Sequence, residues 1–246
     1  MEWGVRVAAG GPVMGLGNGA ADLPDVADPS VAMVSVEERD VGDEIEQRSV
    51  ADAVVAGWAK EPWPKHLRSV SCVTSVDPVV GVGFLRGTEA SEDARLRVVT
   101  YAQWTSTPAD DLRTFVRYRS YQPVAPDAAP RTGCVVFVTI DFDGPDRRRQ
   151  LRWIEGVVAA LAAEPEPAPG LIAAHFHAST DGTRVVNYAE WISAQAHRDA
   201  LTHGPSGIGQ TERPEWRRVR EFPGVTGNTV GRYTLHRSLT ADTGQA

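Results

Sequence analysis

Cysteine and lysine are scarce in this 246-residue chain. Cys72 and Cys134 stand far apart with no CxxC or metal-type spacing around them. That excludes a disulfide scaffold and a cysteine zinc module, and it makes a reducing, cytoplasmic setting the expectation. Lys60 and Lys65 are the only lysines; arginine supplies the other positive charges, and the net charge is still −7. A general nucleic-acid binder carries a basic stripe, so nucleic acid is not an expected partner. No apolar run approaches the ~20 residues of a membrane-spanning helix, and no basic segment leading into an apolar one opens the sequence, so neither membrane nor secretion is expected. What remains is an ordinary globular composition, 42% hydrophobic and 23% charged, with room for one large domain or two smaller ones.

Residues 1–30 are expected to form a flexible arm. Gly15, Gly17 and Ala20 match the GxGxxA form of a dinucleotide loop. Such a loop needs a helix behind it to present amide groups to pyrophosphate, and the following AADLPDVADPS breaks helices.

From Val31 onward the sequence repeats itself. Residues 40–64 lie over 143–167 without a gap, matching Asp40 with Asp143 and Val54-Val55 with Val157-Val158. Residues 83–104 lie over 170–191, matching Arg97-Val98-Val99 with Arg184-Val185-Val186, and Tyr101-Ala102 and Trp104 with Tyr188-Ala189 and Trp191. The change of offset places an insertion in the first copy between Pro64 and Gly83. Two units follow, 31–125 and 131–240, joined by the proline- and alanine-rich stretch 122–133.

Element order is clearest in the second unit. Residues 134–142 are apolar and β-branched, as a strand should be. Asp146 is placed to cap a helix over 147–163, with Leu151, Ile154, Val158 and Leu161 at helical spacing. Residues 171–178 and 183–189 read as a hairpin turned at Asp181-Gly182. Ser193 caps a second helix, 215–222 is looser, and 229–239 is a last strand. The fold class is therefore α+β: two tandem ferredoxin-like domains that can pack sheet against sheet.

The run HASTDGTRVVNYAEWISAQAHRDAL (177–201) resembles the antibiotic biosynthesis monooxygenase family of dimeric α/β-barrel proteins, in particular the anthrone oxygenases that tailor aromatic polyketides. The resemblance implies that the two units pack as a pseudo-dimeric α/β barrel. It also implies oxygenation of a polycyclic phenol by dioxygen, through a substrate carbanion or enolate and a peroxide, giving a quinone or, in double-length relatives, a cleaved ring. It implies no tightly bound metal, haem or flavin; reduced flavin, where used, would come from a separate reductase as partner. Asn187 and Trp191 match the family's Asn-Tyr-Ala-x-Trp motif and would hold substrate oxygen or peroxide. His177 matches a histidine of the preceding strand, and His197 stands where a tyrosine is common. A family arginine finds two candidates, Arg217 first and Arg213 second. His175, Tyr188 and Trp104 complete the expected surroundings of the substrate.

In the first unit, Thr100 replaces Asn187, while Thr88, Glu89 and Ala90 fall opposite His175, Phe176 and His177. Its segment after a second helix is short, so one working site per chain is expected, the first unit acting as a built-in partner with further homodimerisation left open. Structural readings compete throughout. Trp104 and Trp191 could be large core residues at strand-to-helix corners, His175 a satisfied sheet histidine, and 147–149 a solvated face. His175, His177 and Glu190 lack a convincing further metal ligand. A non-oxidative binding protein or cyclase, and haem breakdown with His175 or His177 as axial ligand, are the other functions the fold would carry.

Overall fold

The computed structural model describes residues 23–60, 62–81, 94–108, 112–125, 128–202, 208–209 and 211–241. The first half contains β1 (Met33–Val41), α1 (Glu44–Trp58), β2 (Leu67–Ser75), the short β3 (Val80–Gly81), β4 (Leu96–Trp104) and β5 (Thr114–Tyr121). The second contains β6 (Cys134–Phe142), α2 (Arg147–Ala162), β7 (Leu171–Ser179), β8 (Arg184–Trp191), α3 (Ala194–Thr202), α4 (Pro214–Arg220) and β9 (Val225–Thr240).

Both halves have antiparallel ferredoxin-like strand order, β2-β4-β1-β5 and β7-β8-β6-β9. β5 pairs with β7, and β9 pairs with β2, so the last strand of each half closes onto the other half. The result is a closed eight-stranded antiparallel barrel with helices outside, the pseudo-dimeric α/β barrel expected. Closure removes the sheet edges and makes each half depend on the other for strand pairing.

Local chemistry sets the elements. Asp43 and Asp146 adopt extended backbone and accept from Glu46 N at 2.8 Å and Arg149 N at 3.0 Å, capping α1 and α2. The Asp181-Gly182 turn closes β7 onto β8, with Gly182 at φ +79°, a conformation that costs glycine little. A duplicated clamp then locks helix to sheet: Gln47 Nε2 donates to Ser75 and to Arg97 O, and Gln150 Nε2 donates to Ser179 and to Arg184 O.

Alternation along the strands separates two cores. Inside the barrel lie Val34, Val73, Val99, Tyr101, Phe115, Phe137, Val186, Tyr188 and Tyr233. Between the second-half sheet and α2–α4 lie Val136, Ile140, Trp153, Ile154, Val157, Phe176, Ala189, Trp191 and Trp216. On α2 the buried stripe runs through Gln150, Trp153, Ile154, Val157, Ala160 and Leu161; Leu151 and Val158 sit at its half-buried edge.

Several expectations need correction. Residues 1–22 lie outside the described residues, but 23–30 belong to the folded body: Val26 is buried in the barrel core, and Asp28 pairs with Arg68. The first half's second strand is residues 67–75, not 83–91. Ser71, Cys72 and Val73 therefore pair across β4 as His175, Phe176 and His177 pair across β8. Thr88, Glu89 and Ala90 lie outside the described residues, within an insertion that follows β2. Asp40 corresponds to Asp141 rather than Asp143, because Arg97 pairs with Asp40 as Arg184 pairs with Asp141. Among the described residues no helix lies between β4 and β5, and the looser segment expected at 215–222 is largely the helix α4.

Candidate active site

Asn187, Ala189 and Trp191 point from β8 toward the helices, because alternate residues of a strand share a face. With Val136, Val138 and Ile140 of β6, Trp153 of α2, His197 of α3 and Trp216 of α4, they line a cavity of about 80 Å³. This is space for several water-sized groups. It shares Leu161 and Ile208 with an outer cleft of about 700 Å³ walled by residues 164–170, Ile192 and Ala196.

The lining is largely apolar, and three of the residues that form it each carry a buried polar atom without a partner. Asn187 Oδ1, Trp191 Nε1 and Trp153 Nε1 are buried without a hydrogen bond. An unmet buried polar group costs on the order of 1–3 kcal/mol, so native proteins seldom keep three on the residues around one cavity. Trp216, on the same cavity, is not of this kind: its Nε1 donates to Glu164 Oε1 at 2.6 Å.

The repeat supplies an internal control. Trp104 is the first-half counterpart of Trp191, and its Nε1 donates to Ser35 Oγ at 3.0 Å. Met33 pairs with Trp104 as Cys134 pairs with Trp191, which puts Val136 in the place of Ser35. Valine cannot accept, so the second-half indole N–H is left free. The first half lacks both features, with Thr100 in the place of Asn187 and the Trp104 indole satisfied.

His197 is packed edge-on to Trp191, with ring centroids 4.8 Å apart. Arg232 Nε donates to its Nδ1 at 2.9 Å, which places the imidazole proton on Nε2. Burial, with Arg232 and Arg198 nearby, brings its pKa down to about 3. His197 is thus a neutral N–H donor with a guanidinium behind it.

Of the expected site residues, Asn187, Trp191 and His197 come together on this cavity. His175, His177 and Tyr188 do not: the strand alternation that sends Asn187 toward the helices sends them into the barrel. His177 is 1% exposed, and its Nε2 lies 3.3 Å from Tyr101 OH. His175 Nδ1 lies 2.9 Å from Ser120 Oγ. Desolvation, helped by Arg117, takes their pKa values down to about 3 and about 4. His177 is enclosed, whereas His175 borders a separate surface pocket with Arg117, Ser120 and Gln122; on the opposite face of the sheet, neither reaches the cavity as proton carrier. Among the described residues no three His, Cys, Asp or Glu side chains group as a metal site. Tyr188 OH is unpartnered because Val73 stands where His177 serves Tyr101.

Arg217 and Arg213 are surface groups paired with Glu212 and Glu164, and Trp104 belongs to the other half. The arginine at the site is Arg232, on the same face of β9 as Val230. Alternation from Val230 within the strand sets its face, but only tertiary packing brings it to His197. Trp153 was legible from its helical spacing to Gln150 and Val157.

No protein family and no curated protein sequence matches the chain. Solved structures do. In backbone, the chain is similar to an anthrone oxidase-like protein. The TM-score is 0.58 at 16% identity, covering 86% of this chain and 94% of that one. A ferredoxin-fold protein related to antibiotic biosynthesis monooxygenases, from Listeria monocytogenes 4b F2365, gives 0.42 at 10% identity over 86% and 98%. A heme-degrading enzyme from Listeria monocytogenes gives 0.36 at 12% identity over 82% and 98%. The first likeness shows the fold, a ferredoxin-like α/β barrel; chemistry has to be argued from the site.

Proposed function

We propose that the chain is an oxygenase that oxidises a polycyclic phenol of the anthrone or angucycline kind with dioxygen, at the second-half cavity. The supporting observation is that Asn187, Trp191 and Trp153, which line a largely apolar cavity together with His197, each carry a buried polar atom without a partner. A pocket for a purely hydrophobic ligand has no use for them. The outer cleft takes the body of the substrate, and the inner cavity takes the ring edge that reacts.

The substrate loses a proton to solvent through the outer cleft and reacts as an anion, and the peroxide later takes a proton back from solvent. Its enolate or phenolate oxygen receives the N–H groups of Trp191, Trp153 and His197, while Asn187 Oδ1 accepts from a neighbouring hydroxyl. Donors fixed in a dry site favour a charge that develops there far more than they would in water. Neutral donors also avoid a proton jump that would quench the anion. The carbanionic carbon bonds to dioxygen, which takes up the electron pair and becomes a peroxide. Breaking the O–O bond with loss of water, as the remaining C–H proton leaves, gives the quinone carbonyl.

Reduced flavin enters this reading as a diffusing co-reactant from a reductase. The test is oxygen uptake with a panel of polycyclic phenols, with and without reduced flavin. Uptake that depends on the phenol and yields quinone or cleaved ring supports the assignment. Tight binding of the same phenols with no oxygen uptake under either condition would replace it with a binding or cyclase role.

A further inference from the structure

We propose that Asp77, carried by the first half, is a positioning residue of the second-half site, holding Arg232 so that Arg232 holds His197. This rests on the reading that the cavity beside His197 is where the reaction occurs. Asp77 Oδ2 receives Arg232 Nη1 at 3.2 Å and Arg198 Nη1 at 3.0 Å. The same guanidinium donates through Nε to His197 Nδ1. A carboxylate, a guanidinium and an imidazole thus form one line across the seam between the halves.

The backbone around Asp77 is fastened to β9 on both sides of Arg232. Ser75 pairs with Tyr233, Val76 N donates to Arg232 O at 2.9 Å, and Val80 pairs with Val230. Val79 is buried in the barrel core, anchoring the loop from below. At the corresponding place in the second half, the tight turn between Ser179 and Arg184 carries Asp181, which pairs with Arg113; among the described residues only the Asp77 arginine goes on to donate to a histidine. Asp77 Oδ1 is itself buried without a partner, a cost that folding alone would not favour.

The chemical consequence is a fixed tautomer. With Arg232 pinned, His197 Nδ1 is always the acceptor and Nε2–H always faces the other way. With Arg232 released, both neutral tautomers are open to the ring, and only one of them can donate to the substrate oxygen. The first half has neither the asparagine nor the free indole of the second-half cavity, yet it supplies the outermost member of its partner's site. The site is therefore composite, and neither half holds all of it.

The test uses the full chain with Asp77→Ala and Asp77→Asn, and Glu212→Gln as a control for a surface carboxylate. The ¹⁵N–¹H spectrum of the histidine rings, assigned with His197→Gln, reports the tautomer. The wild type and Glu212→Gln should show a single Nε2–H form. Asp77→Ala should show both forms, with kcat on the order of 10-fold lower and KM little changed, as misplacement of a transition-state donor predicts. Asp77→Asn keeps the size without the charge and should show the same change to a smaller degree, which decides the matter if the alanine variant fails to fold. A His197 that stays wholly Nε2–H in the folded Asp77 variants overturns the proposal. If the wild type consumes no oxygen with any phenol, the reaction reading falls, while the tautomer spectra still decide what Asp77 does.

Discussion

Trp104 and Trp191 occupy equivalent places, 2% and 3% exposed, and differ in whether the indole N–H has a partner. Replacing each by phenylalanine is the same chemical change in two different electrostatic situations. Loss of the second ring removes apolar burial and leaves a small void at both positions, about 1–2 kcal/mol. At Trp104 the change also breaks the bond to Ser35, adding about 1 kcal/mol, so Trp104→Phe should destabilise by about 2–3 kcal/mol. At Trp191 it removes a buried donor that had no partner, returning about 1–3 kcal/mol of desolvation cost, so Trp191→Phe should be close to neutral. The barrel closes through both halves, so urea unfolding followed by circular dichroism reads both variants on one transition. A gap of about 2 kcal/mol is expected, with turnover lost only in Trp191→Phe. Equal destabilisation would refute the reasoning, because it would mean the Trp191 N–H is already satisfied, for instance by ordered water.

Other outcomes follow from the same geometry. Asn187→Ala should lower turnover of an anthrone-type phenol about 10-fold or more, whereas Thr100→Ala, at the equivalent place in the first half, should do little; steady-state oxygen uptake separates them. His175, His177 and His197 have folded pKa values below the ordinary 6.5, so below that pH the unfolded chain binds more protons than the folded one. Their contribution to stability is complete above about pH 6.5 and is lost as pH falls toward about 3–4, and His177→Gln should flatten that loss in denaturation measured against pH. Gln150 donates to Ser179 and to Arg184 O while fully buried, so Gln150→Leu should cost about 2–4 kcal/mol in urea unfolding, far more than a surface substitution.

Much of the architecture could be read along the chain, because duplication writes the fold twice. The matched pairs at Tyr101 and Tyr188, and at Trp104 and Trp191, sit on β4 and β8 at the same depth, and the second-half helix and hairpin signals lie where the elements do. The first half was harder. Its second strand, LRSVSCVTS, is rich in serine and threonine, and the insertion after it offered residues 83–91 as a closer match to the second copy. The site was half legible. A motif names residues in order along β8, but a strand sends neighbours to opposite faces, so Asn187 and Trp191 reach the cavity while Tyr188 turns inward. His175 and His177 follow the same rule on β7. Arg232 and Asp77 were invisible to motif spacing because tertiary pairing alone brings them to His197. The empty place of Ser35 in the second half, filled by Val136, is a difference between the copies that means something only once strand register is known.

The central claim is that the unpartnered donors of the second-half cavity receive the substrate's anionic oxygen. The most direct measurement is a titration of the ¹⁵N-labelled protein with an anthrone-type phenol under nitrogen, following the indole N–H signals. The account predicts that Trp191 and Trp153 move downfield together as the ligand ionises, while Trp104 and Trp216 stay in place. Binding that leaves Trp191 and Trp153 unmoved, or that shifts Trp104 instead, would contradict it.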